Sequence, residues 1–215
     1  MSWARAGRGG VFVPRVLAVA TVGFGLGFYV LGAALKPGYS SLSQYISELN
    51  ATGTAWASAL GYFGFVPLGL LFAAFLVSAR PLAGVAGASR LGWWLLWSQP
   101  VAFIGVALAP CDVGCPVGGS PTQVIHDVLG VTTYFAGALG ISLVSFAPAL
   151  RDHATVRHVL RFAALAFIVL FVSMLSPAVA EMRGLLQRSA DGLLAACLLA
   201  IAFRVLQFPH CRSAG

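Results

Sequence analysis

The chain has 215 residues, of which 59% are hydrophobic and only 9% charged, with a mean hydropathy of +0.90. Soluble domains carry about 25% charged residues, so a water-soluble fold is excluded, and six membrane spans of about 20 apolar residues each use nearly the whole length. The net charge of +7 does not mark a nucleic-acid binder, because the basic residues are spread over the ends of hydrophobic segments instead of clustering on one face.

The expected fold is therefore all-α, a polytopic membrane helix bundle occupying 1–215 as a single integral membrane domain. Apolar runs place six transmembrane helices near 12–35, 55–78, 91–109, 123–149, 159–180 and 189–208. Arg5, Arg8 and Arg15 ahead of the first run resemble a signal peptide. That run exceeds a usual h-region and five more spans follow, so it reads as a retained helix. Small residues at Gly23 and Gly27, Gly61 and Gly64, and Ala136 and Gly140 offer seams between helices, and the first pair also offers a homodimer contact. Pro67, Pro100 and Pro177 each free a backbone carbonyl and predict kinks. Trp93, Trp94 and Trp97 read as an interfacial aromatic belt.

Basic residues set the expected orientation. With the N-terminus inside, Arg5, Arg8, Arg15, Arg80, Arg90, Arg151, Arg157, Arg161, Arg204 and Arg212 are cytoplasmic, and only Lys36, Arg183 and Arg188 are outside. Positive residues are retained on the cytoplasmic side, which predicts both termini in the cytoplasm.

Three outer segments carry the unusual residues. In the first, Leu42, Tyr45, Ile46 and Leu49 recur at i, i+3, i+4 and i+7, which predicts a short amphipathic interfacial helix after the first span, lying in the interface or folded over the bundle mouth. Ser41 and Gln44 match its capping box. In the second, Cys111 and Cys115 flank Gly114 and favour a short disulfide ring on an oxidising face; the same cysteines with Asp112 and His126 have metal-ligand chemistry without a recognised spacing, so no metal and no cofactor is expected. Ser120, Pro121 and Gln123 form a helix start that places His126 and Asp127 one to two turns inside the fourth span, where ionisable groups should face the bundle interior. In the third, Arg188 and Asp191 can pair at i, i+3, or Arg188 can reach Glu48, Asp112 or Asp127, or an anionic headgroup.

The order of Pro37-Gly-Tyr-Ser, Ile46-Ser-Glu-Leu, Pro110-Cys-Asp with His126, and Gly184-Leu-Leu-Gln-Arg188 resembles the prokaryotic membrane family known as domain of unknown function 998, over about residues 14 to 208. The resemblance implies one membrane domain of about six helices with an outward polar cluster, located in the plasma membrane, and supplies no settled activity.

The first functional expectation is binding or transport, with Ser47, Glu48, Asp112, His126, Asp127 and Arg188 lining an outward site for a small solute, a proton or a lipid headgroup, and membrane lipids as partners. The alternatives are a membrane-embedded hydrolase or transferase on lipid-linked substrates, with His126, Asp127 and Glu48 as catalytic candidates, and a structural subunit of a membrane complex.

Overall fold

The computed structural model describes residues 10–206; Arg5, Arg8, Arg212 and the last residues of the predicted sixth helix lie outside them. Six helices long and apolar enough to cross a membrane run Phe12–Leu35, Ala57–Ala79, Ala88–Leu108, Pro121–Val144, Ala154–Met174 and Pro177–Val205, and no strand occurs among the described residues. These are the first to sixth spans below.

Boundaries depart most from the hydropathy reading at the sixth span, which starts at Pro177 and not near 189. Glu181, Arg183, Arg188 and Asp191 interrupt the apolar pattern there, but a helix needs only its backbone hydrogen bonds; Arg183, Arg188 and Asp191 find partners within the fold, and Glu181 is exposed. Pro177 consequently sits in the first turn of the sixth span, where its missing N–H is not needed, and does not kink the fifth. The fourth span stops at Val144 because Pro148 follows a short turn. Pro67 and Pro100 do disturb their helices. Ahead of Pro67 the second span widens into a π turn over Gly61–Phe65, closed by the Val66 N–H on Gly61 O. Ahead of Pro100 the third span breaks at Leu96 and Trp97, where the Gln99 N–H turns back to Leu96 O at 3.1 Å.

Consecutive spans pack side by side, so the six helices form a ring. The first and sixth spans meet sparsely along their length. They are tied at one end, where Arg15 Nε donates to Ala202 O at 3.3 Å and its guanidinium lies over the Phe203 ring. At the other end the segment between the first two spans covers the bundle and contacts both helices. We call these the basic end and the capped end. Between them the ring stays open.

Side-chain size sets where helices approach. A Cβ on Gly92 would lie 2.7 Å from Gly140 O and 2.9 Å from Val144 N, so the third and fourth spans cross in backbone contact. Gly61 lies against Ala107, and Gly64 receives the Phe28 ring. Gly23 and Gly27 do not form a seam within the chain: both face outward, with nothing near an added Cβ, and Gly25 and Gly32 pack inward against Leu68, Leu49 and Leu60 instead. Trp93 departs from the expected belt, being fully buried near Phe75, while Trp94 stays exposed beneath the Arg80 guanidinium.

Gly92→Ala is expected to destabilise the detergent-solubilised protein by about 1–3 kcal/mol, because backbone and not a flexible side chain must move. Gly23→Ala is expected to be neutral or stabilising by up to about 1 kcal/mol through helix propensity. Thermal unfolding of the two variants side by side checks the seam.

Candidate functional site

The cap is the segment from Lys36 to Asn50, and it is not the regular amphipathic helix that the spacing predicts. Turns lead into a 3-10 helix at Ile46–Asn50 in which Ile46, Glu48, Leu49 and Asn50 are all buried. It lies over the bundle mouth with both faces covered. The predicted capping pair shifts by one residue, since Gln44 Oε1 accepts the Ser40 N–H at 2.7 Å, and the reach-back at the 3-10 helix comes from Glu48 Oε1 to the Tyr45 N–H at 2.9 Å.

A backbone without regular structure must find partners when water is scarce. Here the start of the sixth span supplies them. The Leu185 N–H donates to Leu42 O at 2.9 Å, Arg183 Nε to Ser43 O at 3.0 Å and Arg188 Nη1 to Gln44 O at 3.1 Å, while the Ile46 N–H donates to Gln187 Oε1. Gly184 permits this docking, because any Cβ there would strike the carbonyls of Ser41 and Gln44. Glu48, 2% exposed, pairs with Arg183 at 3.5 Å and accepts from Gln44 Nε2 at 3.0 Å. Lys36, also buried, donates to Glu48 O, to Leu49 O and to Thr54 Oγ1. Burial pushes its ammonium below the ordinary lysine range, against the opposing pull of Glu48.

The loop between the third and fourth spans is folded onto the start of the fourth. Ser120 caps that helix by accepting the Gln123 N–H. Asp112 accepts from the Ser120 N–H at 2.9 Å and from its hydroxyl at 2.8 Å, bonds that hold the Asp112 carboxyl below its usual 3.8. Asp127 accepts from Gly118 N–H and Gln123 Nε2. Cys111 and Cys115 are joined in a disulfide. Their sulfurs and a His126 ring nitrogen lie within 4.8 Å of one another, but sulfurs bonded to each other offer no thiolate to a metal.

Beneath the cap two cavities share a wall. A small chamber of about 80 Å³ lies at the bundle centre, where Ser47 from the cap, Gln99, His126, Thr133 and Gln187 from the third, fourth and sixth spans, and the rings of Tyr29 and Tyr134 stand among apolar side chains. His126 Nδ1 bonds Ala109 O at 3.0 Å. Gln99 Nε2 donates to Thr133 O at 3.0 Å, and the buried Thr133 Oγ1 has no partner among the described residues. The second cavity, about 340 Å³, is the opening between the first and sixth spans. Its walls are apolar, including Val22, Leu26, Leu68, Phe72 and Leu198, and its capped end carries Ser41, Arg188, Tyr29 and Asp191. Tyr29 and Asp191 line both cavities, joined by a hydrogen bond of 2.8 Å from the phenol to Asp191 Oδ2.

The six expected site residues thus fall into separate places. Ser47 and His126 line the chamber, Arg188 lines the cleft, Glu48 lies in the cap lock, and Asp112 and Asp127 staple the neighbouring loop. Arg188 meets none of the three carboxylates expected for it; its guanidinium donates to Gln44 O, Gly184 O and the Tyr39 hydroxyl. Tyr29, Gln99, Thr133 and Gln187 were not singled out by sequence reasoning, and Asp191 entered only as a surface partner for Arg188. An ionisable residue inside an apolar span is the signal that points to Asp191; Gln187 stands within the Gly184-to-Arg188 motif.

Six helices long and apolar enough to cross a bilayer, packed in a ring under a docked cap, define a multi-pass membrane protein. The family described as "Protein of unknown function (DUF998)" matches residues 18–204, and the chain belongs to that family. No curated protein and no solved structure matches it.

Glu48→Gln and Arg183→Gln are each expected to lower stability by about 1–3 kcal/mol, with the double variant losing less than the sum, because each single change strands a buried partner. A double-mutant cycle by thermal unfolding measures the coupling. The Asp112 staple has a defined acid limit. Its folded value is depressed, so its contribution is complete above about pH 4 and is lost as the pH falls through the depressed value. Limited proteolysis of the 110–120 loop should accelerate only in that acid window, and Asp112→Asn should remove the pH dependence.

Proposed function

We propose that the protein is a lipid-binding membrane protein that takes an amphiphile with an anionic group sideways from the bilayer into the cleft between the first and sixth spans. The observation that carries this reading is the composition of the cleft. A pocket of about 340 Å³ with apolar walls and polar groups at one end matches an acyl chain bearing a headgroup. Its cation, Arg188, spends its N–H groups on neutral acceptors and forms no ion pair among the described residues. An anion at the headgroup level therefore finds a held guanidinium whose charge is not compensated by direct contact.

Charge distribution supports both termini in the cytoplasm, and the family resemblance supports the plasma membrane. Arg15, Arg80, Arg90, Arg151, Arg157, Arg161 and Arg204 gather at the basic end, whereas Lys36, Arg183 and Arg188 at the capped end are each bound to groups of the fold. On this orientation the ligand comes from the outer leaflet. Binding is favoured over catalysis because His126, the strongest catalytic candidate, is tied through Nδ1 to a backbone carbonyl, while Glu48, Asp112 and Asp127 are bonded into the cap and loop.

Gly192 supplies the test. It lines the cleft and a Cβ there meets nothing within 4 Å, so a side chain at this position starts in open space, and Gly192→Leu is chosen to occupy the cleft. Labelling of the purified protein by a photoreactive anionic phospholipid is expected to fall by about tenfold, equivalent to about 1.4 kcal/mol, with the melting temperature unchanged. Undiminished labelling overturns the proposal.

A further inference from the structure

We infer that the ligand of this cleft is a phospholipid with a primary amine, its phosphate held by Arg188 and its ammonium by Asp191. The inference rests on the lipid-binding reading above and specifies its substrate class.

Arg188 and Asp191 stand three residues apart on the sixth span, which puts them on one face, and both line the cleft. Opposite charges at that spacing ordinarily pair. Here they do not: the one ion pair among the described residues joins Arg183 to Glu48. Arg188 is turned to the carbonyls of Gln44 and Gly184, and Asp191 to the Tyr29 phenol. The cavity is thus left with a positive and a negative pole about one helical turn apart. Its complement is a zwitterion whose phosphate and ammonium are joined by a short linker.

The acceptors choose the kind of ammonium. Among the described residues Asp191 receives a single hydrogen bond, at Oδ2, which leaves Oδ1 of this half-buried, cleft-lining side chain without a donor. In the adjoining chamber Thr133 Oγ1, on a side chain only 9% exposed, also has no partner. A primary ammonium brings three N–H donors to such acceptors, whereas a quaternary ammonium brings none. Size acts the same way. The chamber volume of about 80 Å³ has room for an aminomethyl end or for two to three waters at about 30 Å³ each, and three added methyl groups would crowd it.

The test compares phosphatidylethanolamine, its N-acetylated derivative, phosphatidylcholine and phosphatidylglycerol, all with the same acyl chains, in native mass spectrometry of the full chain. The wild-type protein is expected to prefer phosphatidylethanolamine over each of the others by about tenfold, the size of one charged hydrogen bond. Asp191→Asn, which keeps an acceptor for Tyr29, should erase that preference without weakening phosphatidylglycerol. The N-acetylated lipid removes the ammonium and keeps the phosphate, so it tests the same point even where the variant fails to fold. Equal binding of all four lipids overturns the amine assignment and leaves the lipid-binding reading standing. Preference for phosphatidylcholine overturns the primary amine alone. Absence of binding by every lipid overturns both.

Discussion

The structure depends on the docking of an irregular backbone segment onto one helix end. The residues from Ser41 to Glu48 cannot satisfy their N–H and C=O groups with a regular helix, and at the mouth of a membrane bundle water is a poor substitute. The sixth span resolves this with one backbone amide, one side-chain amide, two guanidinium groups and a glycine that makes room for them. Several features then follow. The sixth helix must reach back to residue 183, its charges must sit within the fold, and the cap must form the roof of the chamber through Ile46 and Ser47.

Burial of charge in the cap favours a defined geometry more than a large stabilisation. A carboxylate 3% exposed, paired with a guanidinium 28% exposed, gains little over a neutral packing once desolvation is counted, yet removing either member is costly. Glu48 also accepts from the Tyr45 N–H and the Gln44 amide, so its position fixes the turn that carries Ser47 over the chamber. The aromatic stack of Tyr134 against Phe167 and Phe171, with centroids at 5.0 and 4.3 Å, holds the opposite wall.

Much of the fold was legible because hydropathy and length alone identify membrane spans. The number of helices, the start of the fourth at Ser120 and Pro121, and the disturbance at Pro67 and Pro100 were all written in local patterns. The start of the sixth was not, because Arg183 and Asp191 look like loop residues until the groups that satisfy them are known. Three of the four motifs behind the family resemblance meet in a way that spacing does not reveal: Arg188 donates to the Tyr39 hydroxyl, and the Ile46 N–H donates to Gln187 Oε1. The chamber was least legible. Tyr29, Gln99, Thr133 and Asp191 are isolated polar residues on different spans, and only packing brings them to one cavity.

The ring of helices is fastened at both ends and open between them. The first span is held at Arg15 near one surface and through Lys36 beneath the cap near the other, and Tyr29 joins it to Asp191 of the sixth span inside the cleft. On the proposed lipid-binding reading, exchange with the bilayer requires the first and sixth spans to part along the cleft. The cap can remain rigid throughout, and the rate at which a guest enters should follow the lateral pressure and fluidity of the surrounding hydrocarbon more than the composition of the aqueous phase.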